Sequence, residues 1–206
     1  MTPARTATPT RLRILDAAEQ LMRTAGLVRT TTKEIARLAG CSEAALYKHF
    51  VSKEELFVAV LTERLPPLGP LMAELTENPG ERSTEQCLAE IARLATLFYE
   101  ASAPIAASLF ADPALMQRHI AGLHRIDRGP HVPLHALAHY LRMERAHGRI
   151  RRETDPDAAA ALLLGACFQR ALLAPFLDGS PEPLDEFAAG LARTLIGGLG
   201  SPPNNS

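Results

Sequence analysis

Helix start and stop signals crowd together between residues 26 and 55, and they leave the chain little choice there. Gly26 closes one helix, and Thr31 with Glu34 three residues on forms a capping box that opens the next. Gly40 stops that helix after about two turns. Ser42 caps a third, and Ser52 with Glu55 opens a fourth. Helices this short are not stable alone in water, so they must pack on one another and on the helix before them. The apolar spacing supplies the faces. Helix one is predicted to start near Thr8-Pro9 and to carry Leu15, Ala18, Leu21, Met22 and Ala25 as its stripe. Helix two turns Ile35, Ala36 and Ala39 inward, and helix three Ala45, Leu46 and Phe50. Helix four should run from Ser52 to Leu65, before Pro66-Pro67.

The remainder also reads as helix, because strand-like alternation is nearly absent and Ala, Leu, Glu and Arg dominate. Asn78-Pro79-Gly80 is a turn. Helices are expected over 83–101, over 104–111, from Asp112-Pro113 to Leu123, and from Pro133 to His147, closed by Gly148. Two more are expected, from Asp155-Pro156 to Leu177 and from Ser180-Pro181 to Leu195, and the tail from Gly197 should fray. The expected fold is all-α with about nine helices.

Charge divides the chain. Residues 1–53 hold nine Lys/Arg against four acids, a net +5, while 54–206 carry −6. All three lysines, Lys33, Lys48 and Lys53, lie in the first part. A basic head on an acidic body points to a polyanion partner for the head. Thr31–Phe50 has the make-up of a helix-turn-helix: Ala36 is the small residue of the first helix and Gly40 the glycine of the turn. The second helix, capped by Ser42, would then carry Glu43, Ala44, Tyr47 and Lys48 on its outer face, with Ala45 as a second small residue beside it. Its alanines allow close approach to the major groove, and Tyr47, Lys48 and His49 suit phosphates. Lys53, at the first turn of helix four, and Thr31, Thr32 and Lys33, at the start of helix two, lie where helix N-termini favour phosphate. Glu43 could accept from a cytosine amino group or face solvent. The alternative is a plain helical hairpin in a larger bundle.

Several separate motifs carry a resemblance. Arg13-Ile14-Leu15-Asp16-Ala17-Ala18, Thr31-Thr32-Lys33-Glu34-Ile35-Ala36, Ala39-Gly40-Cys41-Ser42, Leu46-Tyr47-Lys48-His49-Phe50 and Ser52-Lys53-Glu54-Glu55-Leu56 resemble the TetR family of bacterial one-component regulators over roughly residues 10–60. The resemblance implies a homodimer whose two recognition helices enter successive major grooves of a double-stranded operator. It also implies a C-terminal helical domain that binds a small effector and dimerises through its last two long helices, with repression as the usual outcome. The expected division is a helix-turn-helix domain at 1–53, a connecting helix at 54–65, an effector-binding and dimerisation domain at 66–196 and a tail at 197–206. Ser42-Glu43-Ala44-Ala45 departs from the family, which often has Lys, Gly or Pro and Thr there, and this leaves base preference open.

In the body, Ala158, Ala161, Leu162 and Gly165 mark a helix that permits close approach, with Phe187, Leu191 and Leu195 as the stripe of its partner helix. Either a symmetry mate or a monomeric bundle could bury them. Candidates for an effector pocket are Leu94, Phe98, Tyr99, Phe110, Met116, Tyr140, Met143, Leu164, Cys167 and Phe168. Such a stripe is also what a plain core looks like. The joints at 101–104 and 129–133 hint at a body that can open. An apolar lining with few polar handles suits a small, largely apolar effector.

Six of seven histidines lie within 119–147, and His135 and His139 have the spacing of two metal ligands on one helix face, with His131 near. A metal-responsive regulator is therefore the alternative, although no Cys pair or Glu-x-x-His completes a site. No nucleophile elbow, Walker loop or dinucleotide fingerprint is present, so neither an enzyme nor a cofactor is expected. His135 and His139 with Glu144 are the only polar constellation a helical enzyme could use, and Glu144 is at the wrong angle to His139 for a shared face. Three scattered cysteines and no apolar N-terminal core fit a reducing cytoplasm and no secretory signal. The longest uncharged run, Ala158–Gln169, falls short of a membrane span.

Overall fold

The computed structural model describes residues 9–26, 29–64, 68–77, 82–125, 129–177 and 182–198. Among them there is no strand. Ten α-helices follow one another: α1 (Pro9–Ala25), α2 (Thr32–Leu38), α3 (Glu43–His49), α4 (Lys53–Glu63), α5 (Leu68–Glu77), α6 (Thr84–Ala111), α7 (Pro113–Arg125), α8 (His131–Ala146), α9 (Pro156–Leu173) and α10 (Leu184–Gly197). One 3-10 turn, Ala174–Phe176, extends α9.

The capping chemistry explains the short helices. Thr31 accepts from the Glu34 amide at 3.2 Å, and Glu34 accepts from the Thr31 amide at 3.1 Å, so the capping box closes both ways. Ser42 accepts from the Ala45 amide and Ser52 from the Glu55 amide, each at 3.1 Å. At α4 the reciprocal bond shifts by one residue: the Glu55 carboxylate takes the Val51 amide. Gly40 sits at φ +66°, a left-handed geometry that a side chain would strain.

The chain packs as two compact units, one of 1–65 with 101–129 and the other of 66–100 with 130–206. The division expected from the sequence places 101–129 in the body, but a single α6 supplies residues to both units. The first unit has its own core, in which Ile14, Leu15, Met22, Ile35, Leu46 and Phe57 are buried. Ala25, expected in the stripe, is exposed, and Ile14 and Ala17 join it instead. Arg11 forks onto Glu63 with two bonds of 2.6 Å and lies over the Phe50 ring, and Arg64 pairs with Asp16 at 2.9 Å. These bonds join α1 to α4. In the second unit α8 packs on both α5 and α9 around Ile91, Ala92, Leu137, Ala138, Leu163 and Cys167.

Four expectations are corrected. The expected set lacks α5 (Leu68–Glu77), which no Ser, Thr, Asp or Asn just before Leu68 announces. The two helices expected over 83–101 and 104–111 are one, since a proline removes a single ladder bond and the turns on either side carry on. This also removes the joint expected at 101–104. The helix expected to reach Leu177 ends at Leu173 and tightens into the 3-10 turn. Finally, Pro156–Phe176 is long and apolar enough by length and composition to cross a membrane, because its two charged residues, Asp157 and Arg170, barely lower its mean hydropathy. Thr8, the turn at 78–80, Ser180-Pro181 and the tail from 199 lie outside the described residues.

Candidate functional sites

α3 presents one face inward through Leu46, which is fully buried, and the other outward. Ser42, Glu43, Ala44, Tyr47 and Lys48 are exposed, while Ala45 and His49 are half-buried. Thr31 and Lys33 are exposed at the start of α2, and Thr32 is half-buried. The structure thus brings the sequence candidates to one surface, but with bonds the sequence does not disclose. Thr32 Oγ1 donates to Glu43 at 2.5 Å, and Tyr47 Oη lies 3.5 Å from Thr32 Oγ1. The Glu43 carboxylate is therefore held at the N-terminus of α3, where the helix dipole favours it, and does not simply face solvent. Thr31 spends its hydroxyl within the capping box. Its hydroxyl and amide hold the Glu34 carboxyl below the ordinary range.

Lys53 stands on the first turn of α4 with its ammonium 5.0 Å from the Phe57 ring centroid. Arg13 joins this surface although the sequence pattern does not single it out. A Cβ placed on Gly40 would lie 3.6 Å from Arg13 Nη1, so this arginine of α1 reaches the turn between α2 and α3. The signal that could have found it is helix phase: it lies on the exposed side of a helix whose Ile14 and Ala17 are buried.

The pocket candidates divide. Phe110 and Met116 fall in the first unit, Phe110 strongly exposed at 74% and Met116 packed on the core. The other eight are in the second unit. There Phe98, Tyr99 and Phe168 form an edge-to-face chain with successive centroids 5.5 Å apart. In the same unit Leu164, Cys167 and Tyr140 are buried, and Leu94 and Met143 are half-buried. Cys167 Sγ donates to the Ala92 carbonyl at 3.4 Å. Burial raises the Tyr99, Tyr140 and Cys167 pKa values, so all three stay neutral. A separate cleft in the same unit, about 370 Å³, is lined by Leu88, Leu141, Arg149, Arg151, Leu195 and neighbours, and of the ten pocket candidates none lines it.

The histidines do not act together. The His131 and His135 rings stand 5.6 Å apart, and both they and His139 are exposed. Among the described residues no three of His, Cys, Asp and Glu come together as a metal-ligand set. Glu144 has other partners: it is fully buried and accepts two bonds from Arg149, at 2.9 and 2.6 Å, and one from Thr84. His119 is set apart as a buried side chain in the first unit whose Nδ1 finds no partner, with its pKa lowered by burial.

α9 begins at Asp155, which accepts from the Asp157 and Ala158 amides. It buries Ala160, Leu163 and Cys167, while Ala158, Ala161, Leu162 and Gly165 face out. Leu162 is 65% exposed and a Cβ on Gly165 would meet nothing within 4 Å. On α10, Phe187, Leu191 and Leu195 are half-buried.

Residues 14–60 match the family model described as bacterial regulatory proteins, tetR family. Over this stretch the chain is similar to the TetR family. It is 44% identical over 70 residues to the uncharacterized HTH-type transcriptional regulator YvkB of Bacillus subtilis, a match covering 34% of this chain and 36% of that protein. It is 35% identical over 85 residues to the HTH-type transcriptional regulator TtgR of Pseudomonas putida, covering 41% and 40%. The matched stretch thus spans well under half of these relatives. The fold likeness is longer. FadR of Bacillus subtilis, solved in complex with stearoyl-CoA, superposes with a TM-score of 0.67 at 18% identity, over 92% of this chain and 99% of that one. FadR of Bacillus halodurans, described as a fatty acid degradation regulator, gives 0.68 at 20%, over 95% and 98%.

Proposed function

We propose that this chain is a homodimeric transcriptional regulator that binds double-stranded operator DNA through α3 and is released from it by a small, largely apolar effector. The observation that carries the reading is the capped, two-turn α3. Its outer face offers small Ala44 to a groove floor and Tyr47 and Lys48 to phosphates, with Arg13, Lys33 and Lys53 on adjoining helices. The family match over 14–60 supports it. Glu43, held by Thr32, is the one acid on the outer face of α3 and would be exchanged onto a cytosine amino group where the sequence offers one.

The outward apolar face of α9 supports self-association. A soluble chain does not leave Leu162, Leu172 and Phe176 in water without a partner surface, and a second copy of α9 and α10 matches it in kind. This cover also accounts for the helix's membrane-like hydropathy, since its other face lies in the core and Asp157 is paired with Arg142. The Phe98–Tyr99–Phe168 chain, carried on α6 and on the α9 that also bears buried Leu164 and Cys167, is the effector candidate, with Tyr99 as its polar handle. No catalytic step is assigned, and the cytoplasm is the expected place of work.

A gel shift with the DNA upstream of the chain's own gene tests the reading. Two-fold symmetric heads require paired half-sites about one helical turn, 34–36 Å, apart or somewhat more. Scrambling one half-site should abolish the shifted dimer, and binding indifferent to that change would refute it.

A further inference from the structure

The cleft of about 370 Å³ in the second unit has a composition that selects its occupant. Its floor is core: Leu88 and Leu141 are buried, and Leu195 and Ile196 pack on the same cluster. Its charged lining residues are Arg149 and Arg151, with no Asp or Glu among them. Arg149 is committed to the buried Glu144, and the two charges cancel. The remaining positive charge at the mouth is Arg151. Its Nη2 donates to the Gly197 carbonyl at 2.9 Å, which fixes the guanidinium at the end of α10. Gly198, at φ +70°, completes the mouth; a Cβ there would stand 3.5 Å from Arg151 Nη1, so the missing side chain leaves this face of the guanidinium open. Thr154 adds a hydroxyl to the same lining.

An apolar floor under one fixed, uncompensated guanidinium complements an amphipathic monoanion. A planar fork matches a carboxylate with two parallel bonds, and the low-dielectric floor favours an alkyl or aryl tail. At about 30 Å³ per water-sized group, the cleft takes roughly a dozen heavy atoms. We propose that this cleft is a ligand site for small amphipathic carboxylates of that size, with Arg151 as the carboxylate-binding residue. The site shares no residue with the aromatic chain of α6 and α9 and does not depend on its being the effector site.

Calorimetric titration of the full chain, without DNA, tests the proposal with octanoate, its uncharged isostere octanamide, and acetate. Octanoate should bind saturably with one site per chain. Octanamide and acetate should each bind at least tenfold more weakly, because each lacks one half of the recognition. Arg151→Met, an exposed position whose melting temperature is checked in parallel, should cost octanoate at least tenfold and leave octanamide unchanged. Ile150→Glu, at the same lining, should remove octanoate binding by repulsion. Phe168→Ala should change nothing. The proposal is overturned if octanoate gives no saturable heat up to roughly ten millimolar, if octanoate and octanamide bind alike, if Arg151→Met is indifferent, or if Phe168→Ala abolishes binding. Operator binding does not enter these measurements, so a failure here and a failure of the regulator reading are distinguishable.

Discussion

Arg149→Met should unsettle the second unit through a group it leaves untouched. Glu144 is fully buried, and three hydrogen bonds hold its carboxylate: two from Arg149 and one from Thr84. Burial pushes the Glu144 pKa up, but the bonds from Arg149 and Thr84 outweigh it, and the carboxyl sits below its ordinary value. Removing the guanidinium strands a buried charge on one neutral donor. Breaking a buried pair costs about 3–5 kcal/mol. The Arg149 side chain is 30% exposed, so water screens its end of the pair, and about 3 kcal/mol is the expected loss at pH 7. For a chain of this size that is a drop of about 6–12 °C in melting temperature. The loss depends on pH. Wild-type Glu144 contributes stability above the ordinary carboxyl pKa, and this is lost as pH falls through its lowered native value. In the variant, only the Thr84 bond opposes burial, and protonation relieves the cost. The gap between the two proteins should therefore narrow as pH drops from 7 toward about 4.5, near the ordinary carboxyl pKa. Glu144→Gln added to Arg149→Met should restore most of the loss. Urea melts at fixed protein concentration measure all three. If the single variant stays within about 0.5 kcal/mol of wild type, or the gap ignores pH, Arg149 does not hold this charge.

Lys53→Ala should weaken binding to every DNA sequence alike and lower the salt slope by about one, read from gel shifts at several ionic strengths; a changed base preference instead would give Lys53 a different role. Gly165→Leu should leave the monomer fold intact, since a Cβ there meets nothing, but shift the dimer toward monomer in sedimentation equilibrium. His119 is buried neutral with its pKa lowered by burial, so wild-type stability should fall as pH drops below the ordinary histidine value of about 6.5, where the unfolded chain gains the proton first. His119→Leu should flatten that part of the melting-temperature profile, from about pH 8 to about 5.5.

What the sequence discloses depends on the range of each interaction. Capping is local, so Thr31, Ser42 and Ser52 announce their helices within a residue. Apolar spacing places Leu46 under α3 and leaves Tyr47 and Lys48 outside. α5 escapes because no Ser, Thr, Asp or Asn precedes Leu68 in the sequence to announce a start, and α6 is cut in two when Pro104 is weighed as a stop. The bond from Thr32 to Glu43 spans eleven residues and two helices, and the Thr84–Glu144 bond sixty. Neither leaves a mark in local pattern, and this is why the sequence leaves Glu43 undecided and does not disclose the partners of Glu144. The cleft at Arg151 is built by the end of α10 meeting the loop before α9, which no periodicity encodes.

The outward set of α9 has a consequence in genetics. Ala161, Leu162 and Gly165 face away from their own chain's core, so alleles altered there should yield chains that fold but stay single. If the proposed homodimer holds, such an allele should be silent in a cell that also carries the normal gene, because its product would join nothing. On the proposed homodimer, an allele that spoils α3 but keeps α9 should behave in the opposite way. Its product should pair with normal copies and leave each mixed pair with one working head. The two faces of this chain should therefore sort their mutations into recessive and dominant classes, and a merodiploid reporter strain would separate them without a structure.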